Sequence, residues 1–62
     1  MQVKEIVRLF GGRPAMSEIL DLKSGRQQVE YWERINRIPR WHIPAVKKAA
    51  RKLGINIEEY LK

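Results

Sequence analysis

The sequence predicts an all-α fold: a single compact domain of four to five short helices around a central helix-turn-helix. Three observations lead there. Apolar residues recur at helical spacing, and no stretch alternates with period two for long enough to make a strand. Glycine and proline punctuate these stripes at Gly11-Gly12, Pro14, Pro39, Pro44 and Gly54. The chain has 62 residues and no cysteine, so helix packing must stabilise it without a disulfide framework or a thiolate metal site. A partner subunit is a further expected source of stability.

The first helix is marked by Val3, Ile6, Val7 and Phe10, an i, i+3, i+4, i+7 stripe that stops at Gly11-Gly12. Pro14 suits the first position of the second helix, where its missing N–H costs nothing. Ala15, Met16, Ile19 and Leu20 form the apolar face of that helix, and Asp21, Leu22 and Lys23 form a turn. The third helix has a capping-box signature: Ser24, followed three residues later by Gln27. Val29 and Trp32 set its inward face, with Gly25 near that face to allow close approach of the preceding helix. Gln27, Glu30, Tyr31 and Arg34 point outward, and Arg26 and Gln28 lie on the flanks. Asn36-Arg37-Ile38-Pro39 breaks the pattern, since proline disfavours helical geometry at the residue before it. A fourth helix starts between Pro39 and Pro44 and runs to Leu53, with Ile43, Val46, Ala49, Ala50 and Leu53 inward and Gly54 closing it. Asn56 with Glu59 reads as the cap of a terminal turn carrying Ile57, Tyr60 and Leu61.

Charge narrows the function. Thirteen Lys/Arg against seven Asp/Glu give +6, and a compact basic domain is commonly a nucleic-acid binder. The surplus is localised. Arg34, Arg37, Arg40, Lys47, Lys48, Arg51 and Lys52 occupy one stretch without an acid, whereas the first 33 residues carry five charges of each sign. Catalysis is not expected, because so small a fold rarely encloses a pocket, and no cofactor or small-molecule substrate is implied. His42 has no second ligand near it in sequence, so packing or a phosphate contact is its expected role. No apolar run approaches membrane-spanning length and no signal-peptide core opens the chain, which predicts a soluble, reduced, cytoplasmic protein.

Two short helices crossing at a turn, the second anchored by Val29 and Trp32, place the second where it can enter a DNA major groove. A glutamine amide pairs with both N6 and N7 of adenine, which makes Gln27 and Gln28 apt readers. Gln28 is the weaker of the two because its angle brings it nearer the core. Arg26 reads guanine or holds a phosphate, and Tyr31 meets a thymine methyl or a phosphate. The alternative is a solvated helix face on which Arg26, Glu30 and Arg34 form i, i+4 pairs. Arg37 and Arg40, flanking the Ile-Pro step, are expected on phosphates together with the start of the next helix. Arg13 joins the backbone-contact candidates. Lys47, Lys48, Arg51 and Lys52 read first as a solvated face that complements the helix dipole, with contact to flanking DNA or RNA as the alternative. Trp41 covers the core, supports a partner or lies beside the sugar-phosphate backbone. Ile57, Tyr60 and Leu61 either cap the core or form a dimer face.

Phe10-Gly11-Gly12, Leu20, Leu22, Val29 and Trp32, followed by Arg37-Ile38-Pro39, Trp41, Pro44-Ala45 and Ala49-Ala50, together resemble the Cro/repressor-type helix-turn-helix family. The likeness is greatest to the carph-isopro domain of bacterial and prophage regulators, whose hallmark is an Arg-Ile-Pro segment entering the next helix. It spans residues 3–55. It implies a lambda-repressor-like fold and a sequence-specific DNA-binding transcriptional regulator, a repressor or related switch of host or phage origin, often dimeric, acting at the bacterial nucleoid. Carried over by position, Arg26, Gln27, Glu30 and Tyr31 face bases, while Lys23 and Ser24 approach the backbone. The chain departs from the family pattern in three places. Ser17 stands where the family often has alanine, Asp21 stands where it has glycine, and the Leu22-to-Val29 interval is longer. The surplus residues, within Lys23-Ser24-Gly25-Arg26, either lengthen the turn or start the reader helix early.

Two rival functions use the same fold. One is a protein-interaction module docking on RNA polymerase, a phage protein or a toxin-like partner. The other is a non-specific DNA or RNA binder held by electrostatics.

Overall fold

A computed structural model describes residues 1–62 and shows a compact all-helical domain without strands. Four helices follow in order: α1 (Val3–Leu9), α2 (Arg13–Ile19), α3 (Arg26–Ile35) and α4 (Ile43–Leu53). Short 3-10 turns at Arg40–His42 and Glu58–Tyr60 precede α4 and close the chain. No helix is long and apolar enough to cross a membrane. The helices are too short to stand alone, since isolated helices below about 12–15 residues are marginal in water. Their stability comes from a shared core of eleven side chains, with Trp32, Ile6 and Met16 the largest that are fully buried.

α1 buries Val3, Ile6 and Val7, and Phe10 follows into the core. Gly11 and Gly12 then take φ of 101° and 105°, which side-chain-bearing residues avoid, and the Gly12 N–H returns to the Val7 carbonyl at 3.0 Å. Pro14 lies in the first turn of α2, one position later than expected, because α2 already starts at Arg13. Met16 fills the core. Ser17 is buried beside it, its hydroxyl donating to the Pro14 carbonyl at 2.9 Å, so this position accepts serine without an unpaired polar group. Ile19, expected inward, is exposed.

Lys23, Ser24 and Gly25 lie in the turn between α2 and α3, and α3 begins at Arg26. Asp21 takes the left-handed conformation that glycine usually supplies (φ 54°), one of the few side chains that tolerate it. Lys23 and Ser24 remain in the turn, and Gly25 stands at the N-cap of α3 with φ 61° and ψ −145°. The capping box is therefore not formed, since Ser24 lies outside the cap and no side chain caps the helix. Nor is Gly25 a close-approach glycine. A Cβ there would meet nothing within 4 Å, and its requirement is conformational.

Asn36, not Pro39, ends α3. It adopts φ 53°, and its Oδ1 accepts the Val3 N–H at 3.1 Å, joining the end of α3 to the start of α1. Ile38 then drops into the core from an irregular segment, a placement that no periodic pattern signals. In α4, Val46 and Ala50 are buried, Ile43 and Ala49 are half-buried, and Leu53 is exposed, contrary to expectation. Gly54 closes α4 at φ 72°. Asn56 Oδ1 accepts the Glu58 N–H at 3.2 Å to shape the last turn, without help from Glu59. That turn returns to the amino terminus, where Gln2 N–H donates to the Tyr60 carbonyl at 2.7 Å.

Asn36 combines two roles, and substitutions separate them. Asn36→Ala loses both the Val3 bond and easy access to positive φ, for an expected cost of about 2 kcal/mol. Asn36→Gly loses only the bond and costs about half as much. Urea unfolding of both variants checks the order; equal losses would remove the conformational half of the account.

Candidate nucleic-acid interface

Burial of Val29 and Trp32 fixes the rotation of α3, and the opposite face follows from the helical period. Gln27, Glu30, Tyr31 and Arg34 stand at i, i+3, i+4 and i+7, and all four are exposed. Arg26 is exposed in the first turn. Gln27 makes no side-chain hydrogen bond within the chain, so the amide that a capping box would have occupied is free.

Gln28 is different. It is half-buried, and its Nε2 lies 3.2 Å from His42 Nε2, so the amide N–H donates when that ring nitrogen carries no proton. The His42 ring is in turn tilted against Trp32, with centroids 5.0 Å apart. Gln28 thus ties α3 to the turn before α4 and is withdrawn from the outward stripe, which corrects its assignment as a base reader. His42 serves packing, in keeping with its expected role. No cluster of His, Asp or Glu is placed to hold a metal ion.

Among the backbone-contact candidates, Lys23 and Ser24 are exposed in the turn before α3, and Arg34, Arg37 and Arg40 are exposed on α3 and just after it. The three ion pairs of the chain use only Arg8 and Arg13 as cations, so Lys23, Arg26, Arg34, Arg37 and Arg40 carry uncompensated charge. The i, i+4 pairing of Arg26, Glu30 and Arg34 does not form. Glu30 faces Arg13 instead, at 3.8 Å.

Arg13 is the second correction. Its Nε donates to Glu33 Oε1, a carboxylate whose side chain is only 10% exposed. A guanidinium held between Glu33 and Glu30 fastens α2 to α3, and a phosphate would have to compete with those carboxylates for it. Glu33 was not among the candidate residues. The available signal was Glu30 and Glu33 three apart on one helix, able to share a cation from a neighbouring element. Trp41 is 78% exposed between Arg40 and His42, so it does not cover the core. Ile57 is 2% exposed and belongs to the core, with Tyr60 and Leu61 half-buried against it, so this cluster caps the core and Ile57 is not available as a dimer face.

The assembled surface is an exposed polar stripe on one helix, with unpaired cations in the turn before it and the loop after it. No family model, curated protein or solved structure matches the chain.

The Arg13 assignment has a direct check. A double-mutant cycle on Arg13→Ala and Glu33→Gln is expected to give a coupling of about 0.5–1 kcal/mol in urea unfolding. Additive losses would show that the contact does not hold α2 to α3.

Proposed function

We propose that this chain is a sequence-specific DNA-binding regulator of the Cro/repressor type that acts without chemistry. One observation carries the reading. The outward stripe of α3 is held rigidly by Val29 and Trp32, while the cations around it lack internal partners. Buried anchors fix which side chains reach a groove, and free cations supply the phosphate contacts that bring the helix to it. The likeness of Arg37-Ile38-Pro39 and its surroundings to the carph-isopro domain supports the same reading.

Gln27, Glu30 and Tyr31 are the proposed readers of base edges, with Arg26 reading guanine or holding a phosphate beside them. Lys23, Ser24, Arg34, Arg37 and Arg40 are the proposed backbone contacts. Lys23 and Ser24 are exposed in the turn ahead of the helix, which supports a role on phosphates rather than on bases. Glu30 suits the exocyclic amine of cytosine, which a carboxylate accepts well, and disfavours close approach to phosphates. Trp41 lies next to Arg40 and is free to pack on the sugar-phosphate backbone.

The two kinds of contact respond differently to mutation. Gln27→Ala is expected to cost about 1–3 kcal/mol on the preferred sequence and to relax choice at one base pair. Arg40→Ala is expected to weaken all sequences alike and to make the log affinity against log salt slope shallower by about one. Selection from a random DNA pool at physiological salt, followed by titration of both variants, tests the reading. Unchanged base preference in Gln27→Ala would falsify the reader assignment. Binding without any enriched sequence would support a non-specific binder.

A further inference from the structure

α2 and α4 leave an open apolar groove between them. Ile19 and Leu20 from α2 meet Ala45, Ala49 and Leu53 from α4 around a cleft of about 310 Å³. Ile19 is 41% exposed and Leu53 49% exposed. Ile19 and Leu53 sit at the inward spacing of their helices yet remain in water, and with the half-buried Leu20 and Ala49 they form a contiguous rather than scattered lining. Contiguity is what distinguishes an interaction surface from ordinary exposed leucines. The volume lies at the lower end of the range for ligand pockets, which suits one or two apolar side chains of a larger partner.

Lys48 and Lys52 complete the lining, four residues apart on α4 and both exposed. Neither is in an ion pair, and α4 contains no acid to neutralise them. This charge decides the occupant. A two-fold pairing of identical chains packs this patch on its own copy, so it would bring two bodies of +6 together with all four Lys48 and Lys52 side chains at one interface. Such like-charge juxtaposition opposes a homodimer through this face. DNA satisfies the lysines but leaves the five apolar side chains without a partner. A segment with apolar anchors and flanking acids satisfies both.

We propose that the α2/α4 groove is a docking site for an acidic amphipathic helix of a partner protein. Its apolar residues at i, i+3 or i+4, and i+7 enter the cleft, and its carboxylates meet Lys48 and Lys52. None of the residues proposed to face DNA lines this groove. The inference therefore stands independently of the DNA-binding reading, and both surfaces can be occupied at once.

The test uses the full chain and two synthetic fluorescein-labelled helical peptides with leucine at the anchor positions. One carries glutamate at the flanking positions and the other lysine. Fluorescence anisotropy at physiological salt should show the glutamate peptide binding at least about tenfold tighter. Lys48→Glu with Lys52→Glu should reverse that preference, whereas Lys4→Glu with Lys62→Glu, an equal change in net charge elsewhere, should preserve it. Leu53→Asp should abolish binding while leaving the circular dichroism melt nearly unchanged, since Leu53 is half in water in the free chain. Equal binding of both peptides, or a preference that follows net charge alone, overturns the proposal. So does loss of a sedimenting dimer in Leu53→Asp, which would assign the groove to a second copy. Competition by duplex DNA that disappears in the Lys48→Glu, Lys52→Glu variant would assign these lysines to DNA and likewise overturn it.

Discussion

The burial of Trp32 is the constraint on which the other features depend. It is the largest fully buried side chain of a chain with only eleven buried apolar residues. Truncating such a residue to alanine typically costs about 3–5 kcal/mol, while a domain of this size has only about 3–9 kcal/mol in total. α3 therefore has one viable rotation. With Trp32 and Val29 inward, Gln27, Glu30, Tyr31 and Arg34 must face water. The same indole receives His42, so the turn before α4 is set from α3 as well. Gln28, caught between them, becomes structural for that reason alone.

Electrostatics is divided between fastening and display. Arg13 is paired with Glu33 and Glu30, a cluster of one cation and two carboxylates that ties α2 to α3. The cations from Lys23 to Arg40 have no such partners. They repel one another and form no ion pair within the chain, so on the proposed reading their role is to meet an external anion. Charge on the proposed reading brings DNA in and fixes register, while the uncharged Gln27 amide supplies choice.

Local periodicity made much of this legible. The Val3, Ile6, Val7, Phe10 stripe, the Gly11-Gly12 stop, the Val29–Trp32 anchor and the Gly54 close all depend on contacts within a turn or two, and all stand where the pattern put them. The misreadings share a different cause. Ser24 and Gln27 have the spacing of a capping box, but spacing says nothing of φ at Gly25, whose positive value moves the cap one residue along. Asn36 bonds Val3 across 33 positions and Arg13 bonds Glu33 across 20, so neither is visible in any window of sequence. Ile38 is buried because the chain turns inward after Asn36, not because it belongs to a stripe. Leu53 has the period of an inward residue, but α4 outruns the core at its carboxyl end and leaves it in the groove.

The short α2 joins these regions and gives the groove a consequence for the proposed reader. Its first residue, Arg13, is tied to α3, and its last residue, Ile19, with the following Leu20, faces the groove. Seven residues make too short a helix to hold itself, so both ends depend on neighbours. The turn that follows, from Asp21 to Gly25, contains two positive-φ residues and sets where α3 begins. A partner seated in the groove and bound only to the folded chain adds stability as the logarithm of its concentration over Kd, about 2.7 kcal/mol at a hundredfold excess. In a domain of this size that is a sizeable share of the whole. Occupancy on the α2/α4 side would thus reinforce the same short helix and turn from which the outward stripe of α3, the proposed reader, departs.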